Sequence, residues 1–351
     1  MEFGAEITTS EMAYARQINR RSRAELALLR KHPSETCFGV QLAAGKAPEA
    51  ISAGRRAMDQ GALFVDLNCG CPIHDVVKRG MGATLLQRPA ALGRIVEAMV
   101  EGLSVPVTVK IRSGWKADKC NASEVARIIE EAGAAAITIH PRSREQRYSK
   151  AADWGLVRQL VEERNIPVIG NGDILTYYEA ERVRRESGCA ALMVARGALI
   201  KPWIFQEIAQ GQAWEPTAEE RVEVYHRLAG YMKEHFYDDE KGKERAMRFL
   251  PWHFGFFWRY RPLPESEFGE RSLQYPLMQT RRESDGELPL LEGVLRDPRE
   301  EVHARLADSL WEAATGDEAL QAVTAIGEEL PPVTELPDTG RGTPEIATSH
   351  G

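Results

Sequence analysis

The first two hundred residues alternate short apolar or β-branched runs with segments of helical period. No other feature of this 351-residue chain constrains the fold as strongly. The runs lie at 37–42, 63–67, 105–111, 135–139, 168–169 and 190–194. Between them, Leu92, Ile95, Val96, Met99, Val100 and Leu103 recur at spacings of three and four. So do Val125, Ile128, Ile129 and Ala132, and then Trp154, Val157, Leu160 and Val161. Such spacings put each set on one face of a helix. Strands separated by helices mean a parallel sheet with helices packed on it.

Two architectures satisfy that rule, and the polar residues choose between them. Nearly every run ends in its own polar or glycine signature. These are Gln41, Asn68-Cys69-Gly70-Cys71-Pro72, Lys110-Ile111-Arg112, His140-Pro141-Arg142, Gly170-Asn171-Gly172-Asp173 and Ala195-Arg196-Gly197. In a barrel the carboxyl ends of all strands converge on one site, whereas a doubly wound sheet concentrates them near one switch point. No GxGxxG follows the first run. The pattern therefore predicts a TIM (β/α)8-type barrel. Adding a short strand at 5–9, before a helix expected over 12–29, brings the strands to seven where a closed barrel needs eight. The strand unaccounted for is the first.

After Pro202 the character changes. Residues 221–261 hold nine Lys or Arg, six Asp or Glu and 11 of the chain's 26 aromatics. Val222, Tyr225, Leu228, Ala229 and Met232 recur at helical spacing. The expected organisation is a barrel domain over 1–210 and a helical domain over 215–330. The latter carries an irregular stretch near 262–298 and another helix over 300–314. A flexible, proline-rich tail follows over 331–351. Phe249, Trp252, Phe256 and Phe257 read as core.

The formal net charge of −7 argues against a global positive field. Local patches are still allowed. Arg142, Arg144, Arg147 and Lys150 crowd one segment beside the expected barrel mouth, and Arg245, Arg248 and Arg259 punctuate the aromatic stretch. Each set reads either as a solvated surface or as contacts to a phosphate backbone. Five cysteines without a CxxC pair fit a reducing compartment. With no basic-then-apolar leader and no run approaching a membrane span, the expectation is a cytoplasmic protein, monomeric, with no membrane or DNA partner.

Several residues can carry chemistry. Lys110 closes a buried-type strand, where a lysine either holds an anionic or electron-rich ring edge or snorkels to the rim. His140 reads as a ligand donor or as a hydrogen-bonded rim histidine. Cys71, in a loop just past a strand, suits a nucleophile or proton donor better than a core position. Cys69 and Cys71 are at most half of a metal site, and nothing in the sequence completes it, so no metal is expected. Cys37, Cys120 and Cys189 read as packing residues. The turns Asn171-Gly172-Asp173 and Ala195-Arg196-Gly197 could cradle a phosphate on their backbone N–H groups.

Taken in order, these motifs resemble the tRNA-dihydrouridine synthases, FMN enzymes on a (β/α)8 barrel with a helical C-terminal domain. The resemblance rests on Asp66-Leu-Asn-Cys-Gly-Cys71-Pro72, Gly80-Met-Gly82-Ala83 and Val109-Lys110-Ile-Arg112. It continues through His140-Pro-Arg-Ser-Arg-Glu-Gln-Arg-Tyr148, Gly170-Asn-Gly-Asp173 and Ala195-Arg196-Gly197-Ala198. It spans about residues 4–205, and the stretches 143–154, 197–205 and 242–260 look most like the eukaryotic type-3 branch. The resemblance implies that Cys71 is the general acid. Gln41 and Asn68 would contact flavin and the active site, and Lys110 and His140 would bind flavin. Asn171, Gly172, Asp173, Ala195, Arg196 and Gly197 would grip its phosphate. It further implies NADPH as reductant of FMN and tRNA as the partner. Hydride would go to C6 and a proton from Cys71 to C5 of a uracil. The family has His-Gly-Arg where this chain has His140-Pro141-Arg142, which removes one backbone donor. The family also opens on a strand that has no counterpart here, in agreement with the count of seven, so a start upstream of Met1 is expected. Two other readings stay open. One is an FMN reductase of a small pyrimidine, the other a non-catalytic RNA-binding protein derived from the barrel.

Overall fold

A computed structural model describes residues 1–280, 286 and 288–331. The expected tail over 332–351, and part of the expected irregular stretch (281–285 and 287), lie outside the described residues. The chain divides into two units. The first comprises Met1–Ala195, Ile204–Gly211 and Tyr275–Met278. The second comprises Arg196–Trp203, Gln212–Gln274 and, among the described residues, those from Gln279 on.

In the first unit the apolar runs become parallel strands: β1 (Ile7–Thr9), β2 (Ala13–Tyr14), β3 (Cys37–Ala43), β4 (Phe64–Cys69) and β5 (Val107–Arg112). A small hairpin follows, β6 (Gly114–Lys116) with β7 (Lys119–Cys120), and then β8 (Ala136–His140), β9 (Val168–Asn171) and β10 (Ala191–Met193). The sheet order is β1-β3-β4-β5-β8-β9-β10, with β2 also on β3. The sheet curls into a half-barrel, an incomplete TIM barrel with helices flanking it. The expected helix over 12–29 is instead a two-residue strand and two short helices, Ala15–Asn19 and Arg23–Ala27. Arg21, at φ +60, breaks them apart.

The register sorts side chains onto two faces. Val65, Leu67, Cys69, Val107, Val109, Ile111, Ile137 and Ile139 are all buried in one large apolar cluster. Leu92, Val96 and Met99 of helix Pro89–Gly102 and Val125 and Ile129 of helix Ala122–Glu131 join them there. That is the outer, helix-covered face. Gly170 keeps helix Trp154–Glu163 close, because a Cβ there would lie 2.3 Å from the Trp154 ring. Truncating such a core side chain to alanine typically costs ~2–5 kcal/mol. The alternate residues face inward, and after Phe64 at the start of β4 those on β4 and β5 are polar: Asp66, Asn68, Thr108, Lys110 and Arg112. A filled barrel core carries branched apolar layers. This inner face instead carries hydrogen-bonding groups.

The second unit is helical. Helix Ala218–Phe236 packs on Glu300–Glu312 and Gly316–Glu329, and Leu250–Phe257 packs on Glu300–Glu312. Tyr225 stacks on Phe257 at 4.1 Å, with Phe254 edge-on at 5.5 Å, and all three are buried. Two expectations need correcting. Phe249 is exposed, stacked on Phe236, and Trp252 is half-buried. The stretch near 262–298 is largely helical where described, with Glu265–Gln274 and Leu290–Leu295. Proline misleads there because it also starts helices: Pro264 accepts the first N–H groups of one and Pro289 caps the other. No helix among the described residues is long and apolar enough to cross a membrane.

Candidate active site

The register places Gln41 beside Asp66, Asp66 beside Thr108, and Asn68 beside Lys110 on the inner face. These neighbours form one chain of hydrogen bonds. Thr108 Oγ1 donates to Asp66 Oδ1 at 2.7 Å, and Gln41 Nε2 donates to Asp66 Oδ2 at 2.8 Å. Asn68 Nδ2 donates to Gln41 Oε1 at 2.7 Å. Asn68 Oδ1 accepts the backbone N–H groups of Gly70 and Cys71 at 3.1 and 2.8 Å. Burial pushes the Asp66 carboxyl above its ordinary range, and the Thr108 and Gln41 hydrogen bonds oppose that shift.

The chain ends on the loop that carries Cys71. Ala83 N–H donates to the Cys71 carbonyl, and Gly82 comes so close that a Cβ would lie 2.8 Å from that carbonyl oxygen and 3.2 Å from Cys71 Cβ. Gly82 also sits at φ +58, which favours glycine. Arg112, itself buried, donates Nε to the Gly70 carbonyl at 2.8 Å and Nη1 to the Ser143 and Arg147 carbonyls at 3.2 and 3.3 Å. It thereby ties the Cys71 loop to the loop after β8. Burial raises the half-buried Cys71 thiol above its ordinary pKa, while the Ile73 backbone N–H and Arg112 pull it back. The result is a neutral thiol near neutral pH, the protonation state a proton donor needs. Cys69 points the other way, into the apolar cluster, so the two cysteines do not converge. No metal-binding group of side chains occurs among the described residues.

Further round the inner face, Lys110 Nζ donates to Asn171 Oδ1 at 2.9 Å, and Asn171 Nδ2 donates to the Met193 carbonyl at 2.7 Å. Burial, reinforced by Arg112, pushes the Lys110 amine down to about 8, against the opposing pull of Asp66. His140 Nε2 lies 3.1 Å from Arg142 Nη1. Arginine only donates, so that contact makes Nε2 the acceptor and places the ring proton on Nδ1.

Arg142 is not where an RNA contact would put it. Its side chain is 0% exposed. Nη2 pairs with Asp173 Oδ2 at 2.5 Å, and Nε donates to the Lys150 carbonyl at 2.5 Å. The same Asp173 oxygen accepts Ala152 N–H at 2.8 Å. Arg142 and the Asp173 carboxylate therefore fasten the loop over 141–152, and neither side chain faces solvent. Arg144 is half-buried over the Trp115 ring at 4.7 Å, whereas Arg147 and Lys150 are exposed. In the second unit Arg245 and Arg248 are exposed, the latter paired with Glu244 at 2.9 Å, and Arg259 is half-buried. Gly172, at φ +138, and Asp173, at φ +55, both hold a positive φ in the turn after β9. Ala195 ends the first segment of the first unit, while Arg196 and Gly197 open helix Arg196–Ile200 of the second. Cys120 is exposed on the hairpin, against the packing role read from the sequence.

Asp66 and Thr108 escaped the sequence reading as site residues, and Arg112 was quoted only as part of a motif. A signal existed for Asp66, a charge in the middle of an apolar run. The donor set suits a flavin. Gln41, Asn68, Lys110 and His140 Nδ1 supply N–H groups on a half-buried polar face, and the edge of such a ring is rich in acceptors.

The family model described as dihydrouridine synthase matches residues 1–263. Among curated proteins, a Cryptococcus neoformans protein named tRNA-dihydrouridine(47) synthase, with NAD(P)(+) in its name, is 41% identical over 283 residues. That match covers 75% of this chain and 39% of the relative. A rat protein of the same name with the suffix "-like" is 39% identical over 264 residues, 74% of this chain and 41% of that one. The Arabidopsis thaliana counterpart is 36% identical over 295 residues, 78% and 42%. The chain thus spans about two fifths of the length of these relatives.

Proposed function

Because the chain belongs to the dihydrouridine synthase family, we propose that it reduces the C5–C6 double bond of a uridine in tRNA, with Cys71 delivering the proton to C5. The observation that carries this reading is the Cys71 loop. A half-buried, neutral thiol is pinned by Asn68 and Arg112 at the end of an inner face lined with N–H donors. FMN bound against that face, reduced by NADPH, would supply the hydride to C6.

This chain's residues do the rest. Gln41, Asn68, Lys110 and His140 bind the acceptor edge of the ring, and Asn171 aims the Lys110 amine by accepting a hydrogen bond from it. The Asn171-Gly172-Asp173 turn grips a phosphate on its backbone N–H groups. Arg112 fastens the Cys71 loop to the loop after β8, so the proton donor and the basic segment move together. Exposed Arg147, Lys150, Arg245 and Arg248 meet the RNA backbone. A uridine must leave its stack to reach a thiol in this position, at a cost of ~a few kcal/mol. The type-3 character of the motifs, and position 47 in the relatives' names, make that uridine the first to test. The protein acts in the cytoplasm.

The test is direct. The purified chain should carry or take up FMN, visible in its absorbance spectrum, and should form dihydrouridine in tRNA with NADPH. Cys71→Ala should keep the flavin spectrum and lose at least about a hundredfold in turnover, the usual scale for removing a general acid. Normal turnover in that variant sinks the assignment.

A further inference from the structure

Asp66 and Thr108 hold no part in the reduction as described, yet they stand at the head of the hydrogen-bond chain that ends on Cys71. That chain has a direction. A carboxylate only accepts, so Asp66 can meet Gln41 only through its Nε2 group. Gln41 must then turn its oxygen to Asn68, and Asn68 must offer its Nδ2 there and its oxygen to the loop. Backbone N–H groups only donate, so Gly70 and Cys71 make the same demand from the far end. Two amide side chains, nearly symmetric in shape and opposite in polarity at their two tips, are locked between an acceptor-only group and a donor-only pair. Asp66 is 3% exposed, and among the described residues its side-chain hydrogen bonds come from Thr108 and Gln41, with Lys110 acting on it only through its charge. A buried carboxylate without an ion-pair partner is costly, so a fold needing only volume at this position would be better served by a neutral residue.

We propose that Asp66, assisted by Thr108, is a positioning residue that sets the amide polarity of Gln41 and Asn68 and so holds the Cys71 loop in place for proton delivery. The holding of the loop stands on the geometry alone, and only its use in proton delivery rests on the function proposed above. A packing role and a polarity role differ in their consequences. If Asp66 only filled space, the isosteric D66N would be silent. If it sets polarity, an amide at that position removes one of the two locks, so Gln41 and Asn68 sample the turned-over arrangement, in which Asn68 presents N–H groups to the N–H groups of Gly70 and Cys71. The loop loses its anchor and the thiol becomes accessible.

The experiment reads the loop through the thiol. Alkylation of Cys71 by iodoacetamide is followed against pH, by peptide mass spectrometry so that Cys37 and Cys120 are counted apart. The thermal midpoint of each variant is measured alongside. D66N should react about fivefold faster than the parent chain at neutral pH, the scale of one lost neutral hydrogen bond. Its pH profile should move toward that of an unburied thiol. T108V, which removes one donor and keeps the shape, should shift the same way by about twofold. The double variant D66N/Q41E is the decisive arm. There the asparagine amide donates to the new glutamate, whose other oxygen accepts from Asn68, so the polarity downstream is restored. Its alkylation profile should return to within about twofold of the parent. A D66N profile identical to the parent, or a double variant no slower than D66N, overturns the proposal. If D66N does not fold, T108V and the double variant carry the same decision. Loop holding and catalysis fail separately. Rescue of the alkylation profile in a chain that makes no dihydrouridine leaves the positioning role standing and removes the functional reading. Dihydrouridine formation with an unmoved D66N profile does the reverse.

Discussion

Buried arginines serve opposite ends in the two units. In the first, Arg112 and Arg142 spend their donors on loop carbonyls: Gly70, Ser143 and Arg147 for one, Lys150 for the other. They suspend loops at the carboxyl ends of the strands. In the second, Arg221 is buried, paired with Glu292 of helix Leu290–Leu295 and set over the Tyr260 ring at 4.9 Å. It clasps one helix to another. The pairs also differ in their surroundings. The Asp173 carboxylate meets Arg142 and the Ala152 N–H, while Glu292 meets a second arginine, Arg296, at 2.6 Å. The same residue type thus organises an active surface in one region and a core in the other.

Substitution can break that contrast. Arg142→Met removes the guanidinium paired with the buried Asp173 carboxylate and should cost ~3–5 kcal/mol. Protease nicking within 141–152 should rise, and RNA affinity should fall with no change in its salt slope. Arg221→Met should cost less, ~1–2 kcal/mol, because Arg296 still holds Glu292. Equal losses by denaturant unfolding would erase the distinction.

Acid and alkali should sharpen it. Burial drives the half-buried His253 of the second unit down to about 4 from an ordinary 6.5. Between those values the unfolded chain binds a proton that the folded unit refuses, so stability falls as pH drops through that window, by ~1–3 kcal/mol. Lys110, pushed down from 10.5 to about 8, gives the first unit the same sign in a different window. Its stability rises as pH climbs from about 8 toward 10.5. Hydrogen exchange resolved by unit should show the second softening in acid and the first tightening in alkali. His253→Gln and Lys110→Met should each flatten only their own window. The smallest effect belongs to an exposed cation. Arg245→Ala should leave stability within about 0.5 kcal/mol, and should lower the salt slope of RNA binding by about one.

The strands of the half-barrel were legible because buried runs of β-branched residues leave few alternatives. That Gln41, Asn68 and Lys110 share one face, with Cys71 on the loop that follows β4, was legible because each lies toward the carboxyl end of a run, where a curled parallel sheet must bring them together. Arg142 was misread for a physical reason. A cation in a loop looks solvated until its counter-ion is known, and Asp173 lies 31 residues away. The helix expected over 12–29 failed on one left-handed residue, Arg21, which no periodicity reports. Helix Gly316–Glu329 falls within the helical domain expected over 215–330 but was not singled out there; Thr315 caps it by accepting the Glu318 N–H.

Two glycines two residues apart predict opposite outcomes in a saturation library. At Gly80, φ is +76 and nothing lies within 4 Å of where a Cβ would stand, so asparagine or aspartate should survive selection. At Gly82 every replacement reachable by one nucleotide change adds a β-carbon that collides with the Cys71 carbonyl and with Val76. Position 82 should read as invariant in such a library, and the placement of the Cys71 loop is inherited through a codon that encodes no side chain.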